Sequence, residues 1–241
     1  MDSYFVPHRL SIGDTTHLSD SDSELIISGR LHKVEDIVGI STHEALFRAV
    51  ITDIGSASVE VEVLEELEQN QERGSTSITL IQSISGDRKF NFLLEKAVEI
   101  GITKIIPVIS TYSTLDLKKA RNSMDKYQRI ISGATEQSRN PYPTVLADPL
   151  NLKDLVDNEV PGGERICLVT ENVKRVDLKN VLTEGESYII AIGPETGWSS
   201  KDLEVFKKLN FKFVFLRGNI LRTETAGLVI GSIIQYINGR L

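Results

Sequence analysis

Ile189-Ile190-Ala191-Ile192 runs directly into Gly193-Pro194-Glu195-Thr196-Gly197-Trp198-Ser199, and the fold is decided at this join. A short apolar run stopped by Gly-Pro reads as a buried strand. Ser199, with Asp202 three residues on, reads as the capped start of a helix over Ser200 to Leu209. The pattern then recurs. A second apolar run, Phe211 to Leu216, breaks into Arg217-Gly218-Asn219-Ile220-Leu221-Arg222-Thr223-Glu224-Thr225-Ala226, and a helix follows over Thr223 to Ile237. In open α/β sheets, ligands sit beyond the carboxyl ends of strands, where loop amides and helix N-termini converge. Two such ends close together in sequence predict a binding site there.

Working back toward the N-terminus, strands keep alternating with helices. Ile78 to Ser83 reads as a strand, and Asp87 as the cap of a helix over Arg88 to Ile100 that Gly101 ends. A strand over Ile105 to Ile109 precedes a helix over Met124 to Ser138 with Ser123 as its cap. A helix is expected near Asn151 to Asp157 and a strand over Ile166 to Thr170. This alternation predicts a mostly parallel sheet covered on both faces.

Residues 1–73 differ. Glu24 to Ile27, Ala45 to Ile51 and Ala57 to Val63 read as strands, the last in strict apolar/acidic alternation, with turns at Gly13-Asp14, Ser28-Gly29 and Gly55-Ser56. Several short strands without a strong helix suggest a small barrel. The polar stretch Glu65 to Ser77 reads as a linker, dividing the chain into domains over 1–73 and 74–241. The first is strongly acidic, with 15 Asp/Glu against 5 Lys/Arg; the remainder has 19 against 22. All four histidines (His8, His17, His32, His43) lie in the acidic part. Residues 74–241 therefore have no histidine for proton transfer or metal binding, which argues against most hydrolase and zinc chemistry there.

The chain of 241 residues is 40% apolar and 25% charged, as an ordinary globular protein is. No stretch approaches the roughly 20 apolar residues of a membrane span, and Met1 to Pro7 lacks the basic and apolar regions of a signal peptide, so a cytoplasmic protein is expected. The lone Cys167, inside an apolar strand, reads as core. The last helix is nearly all apolar or small. Gly227 and Gly231 would allow another backbone close, either the sheet's or a second subunit's, and a subunit interface is the favoured expectation.

Neither G-x-G-x-x-G after a strand nor G-x-x-x-x-G-K-[ST] is present, and no G-x-S-x-G. What is present resembles one family. Gly193 to Ser199 is similar to G-P-E-G-G-[FW]-[ST], and Leu216 to Ala226 to L-G-x-R-I-L-R-T-E-T-A. Gly86-Asp87-Arg88 with Glu95 to Gly101 is similar to K-G-D-[RK] and Q-K-[AC]-T-E-L-G, and Ala134 to Arg139 to A-A-E-Q-S-[RG]. These are motifs of the RsmE-like 16S ribosomal RNA uridine-N3 methyltransferases, within the SPOUT superfamily, and they occur in the family's order. The resemblance implies an α/β fold with a trefoil-knotted parallel-sheet SPOUT domain, an N-terminal PUA-like RNA-binding barrel, a homodimer, and S-adenosyl-L-methionine as cofactor. Small-subunit ribosomal RNA is the implied partner, with no membrane, and no metal is required.

The implied cofactor pocket comprises Thr170 and Glu171 after one strand, Ile192, Gly193, Pro194 and Gly197 after the next, and Leu216, Ile220 and Leu221 after the last, with Thr225 at the helix start. Arg222 is the candidate to stabilise a uridine anion, the alternative being an ion pair to Glu224. Glu195 either binds the cofactor amine, removes a proton, or is a helix-start carboxylate beside the loop amides. Arg9, Arg30 and Lys33, together with Arg48, are expected to form a basic strip on the acidic domain. Arg139 and the cluster Lys118, Lys119 and Arg121 are further candidates for phosphate. The chain departs from the pattern at Thr196 for Gly, Arg217 for Gly and Asn219 for Arg; after Ile109 the family's S-E-R-S is Ser110-Thr111-Tyr112-Ser113. Gly218 is expected to restore the turn displaced by Arg217. The alternatives are a SPOUT enzyme with another RNA target or acting on ribose O2′, and a non-catalytic RNA-binding protein with a degenerate cofactor site.

Overall fold

The computed structural model describes residues 2–42, 45–69, 76–138, 140, 144–157, 161–170, 176–185 and 187–241. The chain forms two compact units, Met1–Gly74 with Arg139–Tyr142, and Ser75–Ser138 with Pro143–Leu241.

The first unit contains β1 (Ser3–Phe5), β2 (Thr15–His17), α1 (Asp20–Gly29), β3 (Ile37–Ser41), β4 (Ala45–Ile54) and β5 (Val59–Gln69). Its strands are ordered β1-β3-β4-β5-β2, antiparallel except for β1 beside β3. The expected barrel is thus a half-barrel, open at β1 and β2 among the described residues. Val59, Val61 and Val63 face its core, while the intervening acidic residues face outward, as the alternation requires. Two expectations are corrected here. Glu24 to Ile27 is helical, because Ser19 caps the chain by accepting from the Asp22 amide, and Asp20 and Asp22 favour the positive helix start. Glu65 to Gln69 is strand rather than linker.

The second unit contains β6 (Ser77–Ser83), α2 (Asp87–Glu99), β7 (Lys104–Ile109), α3 (Leu117–Asn122), α4 (Met124–Ser138), β8 (Val145–Leu146), β9 (Leu150–Asn151), β10 (Glu164–Leu168), β11 (Val176–Asp177), β12 (Ser187–Ile192), α5 (Ser200–Lys208), β13 (Lys212–Phe215) and α6 (Thr223–Ile237). Leu152–Asp157 is a 3-10 helix. The strand order is β11-β13-β10-β12-β6-β7-β8, with β9 also beside β7, and every described pairing in this sheet is parallel.

Alternation along β12 shows why both faces are covered. Tyr188, Ile190 and Ile192 enter one core with α2, α4 and α6, while Ile189 and Ala191 enter the other with Trp198, Leu203 and Phe206. Cys167 is fully buried in the second core, and burial pushes its thiol well up. Asp87 is the first helical residue and not a cap. Its carboxylate accepts from the Tyr127 hydroxyl at 3.0 Å and from Lys126 Nζ at 3.2 Å, joining α2 to α4. Burial, reinforced by Asp87, pushes the Tyr127 phenol up to about 12. Ser123 closes α3 and its hydroxyl donates to the Lys119 carbonyl, so it does not cap α4 as expected.

Gly227 and Gly231 pack within the subunit. A Cβ on Gly227 would come within 2.9 Å of Leu80, and one on Gly231 within 3.1 Å of Ile100. The glycine face of α6 therefore belongs to the sheet and its flanking helix, contrary to the favoured expectation. The outward side of α6 carries Val229 and Tyr236, the latter 72% exposed, while Leu228 and Ile233 are partly buried against the core.

Candidate active site

The sheet order places β13, β10 and β12 side by side, so the loops leaving their carboxyl ends converge. They enclose a cavity of about 490 Å³. Of the residues expected there, Thr170, Ile192, Gly193, Pro194, Gly197, Leu216, Ile220 and Leu221 line it, as do Glu195 and Arg222. Thr225 does not; its hydroxyl donates to the Arg222 carbonyl at 3.1 Å, bracing the start of α6. Glu171 lies outside the described residues, and so does Arg139.

The wall after β12 is locked. Trp198 is 4% exposed, set edge to face against Phe206 with centroids 4.7 Å apart. A Cβ on Gly193 would stand 3.2 Å from the Trp198 ring, so this position has room for little beyond hydrogen. The Gly193 carbonyl accepts from Thr223 Oγ1 at 2.6 Å, and that hydroxyl accepts from Gln82 Nε2 at 3.0 Å. One buried chain of bonds thereby joins β6, the β12 loop and α6. Gly197 closes a turn onto the Pro194 carbonyl with φ +78°, while Thr196 keeps a negative φ. The family glycine that Thr196 replaces is therefore not needed for backbone freedom in this loop. Ser199 and Asp202 form the expected capping box. Asp202 also accepts from the amide and hydroxyl of Thr111, holding the loop after β7 against the start of α5.

The wall after β13 is open. Ile220 is 82% exposed, and the Arg222 side chain 79%. Arg217 turns away from the cavity and makes a two-pronged contact with Asp177 of β11, at 2.8 and 3.2 Å. Gly218 takes φ +117° within a bend, a conformation that suits glycine. Asn219 lines the cavity in place of the family arginine. Arg222 approaches Glu224 at 3.9 Å, but with most of the guanidinium in solvent this pair is weak and leaves the cation available to a ligand.

Among the lining residues to which the sequence assigns no role are Lys89, Trp198 and Phe215. Trp198 sits inside a quoted motif, so its signal was present. Lys89 is on α2, far away in sequence, and only the sheet order brings it to Glu195, with which it is ion-paired.

Of the residues expected in the basic strip, one is engaged by a carboxylate. Arg48 pairs with Glu65 at 2.7 Å across β4 and β5. Arg9, Arg30 and Lys33 are exposed. On α3, Lys118, Lys119 and Arg121 are exposed, Lys119 being 3.7 Å from Asp116.

An α/β fold with a parallel sheet of this kind is typical of SPOUT methyltransferases. A family model for an RNA methyltransferase domain matches residues 72–235. A ribosomal RNA small subunit methyltransferase E from Aquifex aeolicus is 30% identical, over 86% of this chain and 87% of that protein. One from Buchnera aphidicola (of Acyrthosiphon pisum) is 27% identical, over 98% and 93%. Among solved structures, the chain is similar to a ribosomal RNA small subunit methyltransferase E from Neisseria gonorrhoeae bound to S-adenosyl methionine. The TM-score is 0.80, with 25% identity over 98% of each chain. A probable rRNA-methyltransferase from Porphyromonas gingivalis shares the fold, with TM-score 0.81 and 23% identity over 99% of each chain. This chain belongs to the RNA methyltransferase family.

Proposed function

We propose that this protein is an S-adenosyl-L-methionine-dependent 16S ribosomal RNA (uracil-N3)-methyltransferase. The observation that carries the reading is the cavity beyond β10, β12 and β13, whose walls are the two motif loops. It suits the cofactor on its own chemistry. Leu168, Ile192, Trp198, Phe215 and Leu216 give apolar walls for an adenosine, and the loop backbone from Ile192 to Gly197 is assigned to read the base edge. Thr170, Ile192, Gly193, Pro194, Gly197, Leu216, Ile220 and Leu221 are assigned to hold it. When bound, the cofactor supplies an electrophilic methyl on a sulfonium.

The chain's own task is to position and to stabilise charge. Uridine N3 carries a proton, so its lone pair becomes available only as that proton leaves. Arg222, at the open rim, is assigned to stabilise the resulting anion at O2 or O4. Holding uridine in line for displacement accounts for much of the expected rate. Residues 1–73, whose half-barrel is read as PUA-like, are assigned to RNA binding through Arg9, Arg30 and Lys33, and Arg139 is kept as a phosphate contact. Residues 74–241 are assigned as a trefoil-knotted SPOUT domain. Two copies are proposed to pair through the outer side of α6, where Val229 and Tyr236 are exposed. Ribosomal RNA as substrate, and no described helix long and apolar enough to cross a membrane, support a cytoplasmic location.

Calorimetric titration with S-adenosyl-L-methionine, followed by methyl transfer to small-subunit RNA, tests the proposal. Saturable binding and N3-methyluridine in the product are expected. No binding at millimolar cofactor would leave only a degenerate RNA-binding module.

A further inference from the structure

The described lining of the cavity has three charged side chains, Lys89, Glu195 and Arg222. Two of them are paired. Lys89 reaches from the first turn of α2, Glu195 from the loop after β12, and their charged ends meet at the rim although 106 residues separate them in the chain. Both side chains are partly in solvent, so the pair contributes little to stability. Packing does not require it either, since the same loop is already locked by Thr223, Trp198 and the Ser199 capping box. An exposed ion pair at the mouth of a largely apolar cavity calls for another explanation.

We propose that Lys89 and Glu195 together form the receptor for the zwitterionic amino-acid tail of the cofactor, Lys89 taking the α-carboxylate and Glu195 the α-ammonium. This rests on the cofactor reading above and adds to it the residues that recognise the end remote from adenine. In the free protein the two side chains neutralise each other. A ligand bearing one negative and one positive group replaces that single exposed contact with two charge-assisted ones, at small cost because the displaced pair is weak. A ligand with only a positive tail meets Glu195 but leaves Lys89 unpartnered beside a cation. Lys89 is therefore a specificity-determining residue, selecting the carboxylate-bearing cofactor over its decarboxylated form.

The test is calorimetric titration of the full chain and of Lys89→Ala, Lys89→Arg and Glu195→Gln. The ligands are S-adenosyl-L-methionine, decarboxylated S-adenosylmethionine and 5′-methylthioadenosine, which lacks the tail. Wild type is expected to prefer the carboxylate-bearing ligand by about tenfold, the worth of one charge-assisted hydrogen bond. In Lys89→Ala that ratio falls to about twofold or less, and Lys89→Arg keeps most of it. Glu195→Gln weakens both tailed ligands, while 5′-methylthioadenosine binds all four proteins alike. An undiminished ratio in Lys89→Ala overturns the inference. So does equal weakening of all three ligands, which would make the pair a mere brace. If 5′-methylthioadenosine binds wild type but the ratio is flat throughout, the tail receptor alone fails; if wild type binds none of the three, the cofactor reading fails with it.

Discussion

The two loops that wall the cavity are built on opposite principles. After β12, the chain from Gly193 to Ser199 is tied down at every step: its first carbonyl by Thr223, its turn by Gly197, its aromatic by Phe206 and its end by a capping box. After β13, the chain from Leu216 to Arg222 is anchored at its start by Arg217 on Asp177 and then projects Ile220 and Arg222 into solvent. A wall fixed beforehand needs little ordering when a ligand arrives, whereas an exposed wall is ordered by the ligand itself. The division suits the proposed chemistry. In the proposed chemistry the fixed loop, with Leu216, Ile220 and Leu221 of the open one, would hold the cofactor, and Arg222 at the end of the open loop would carry the cation that meets a base brought in by RNA.

Four substitutions sharpen or break this contrast. The largest effect is expected at the open loop. Arg222→Ala should lower the rate of RNA methylation by about 100-fold or more, as loss of a charge-stabilising donor does, with cofactor affinity changed less than about threefold. A collapse of cofactor affinity instead would make Arg222 a cofactor contact and not the cation that meets the base. Next comes Gly193→Val. Its branched side chain must displace the Trp198 ring that already stands 3.2 Å from where a Cβ would lie, an overpacking of about 1–3 kcal/mol. Cofactor affinity should drop by about tenfold or more, and thermal unfolding should move down.

Thr223→Val removes the hydroxyl that links Gln82 to the Gly193 carbonyl. Leaving buried partners unmatched costs about 1–3 kcal/mol, so chemical denaturation should show a loss in that range, and cofactor affinity should weaken several-fold. If stability falls and affinity stays, the lock serves the fold alone. The smallest effect is expected at Asp177→Ala. It frees Arg217 from an exposed pair worth under about 1 kcal/mol, and cofactor affinity should stay within about twofold of wild type. A tenfold loss would mean that the open loop depends on this anchor far more than its exposure suggests.

How much of this was legible in the sequence depends on the range of the forces involved. The capping box at Ser199 and the start of α6 at Thr223 were read correctly because they depend on residues three or four apart. Gly218 takes φ +117°, which only glycine accommodates without strain. Glu24 to Ile27 was misread because a short apolar tetrad satisfies either period, and the cap that decides it, Ser19, stands outside the window. The pairing of α6 glycines with Leu80 and Ile100, and the meeting of Lys89 with Glu195, are consequences of strand order, which local pattern does not encode. The two-residue strands β8, β9 and β11 exist only as edges beside longer neighbours. At the site, the motif loops were found and most of their lining residues with them. Among the charged groups of the described lining, the one that local pattern does not reveal is Lys89, contributed by a helix distant in sequence.

The central claim is that the cavity serves methylation of uridine N3 in small-subunit ribosomal RNA. The most direct measurement is nucleoside mapping of 16S ribosomal RNA from cells with and without this protein. The account predicts that one N3-methyluridine disappears when the protein is absent and returns with the wild-type chain but not with Arg222→Ala. An unchanged N3-methyluridine in cells lacking the protein would contradict it.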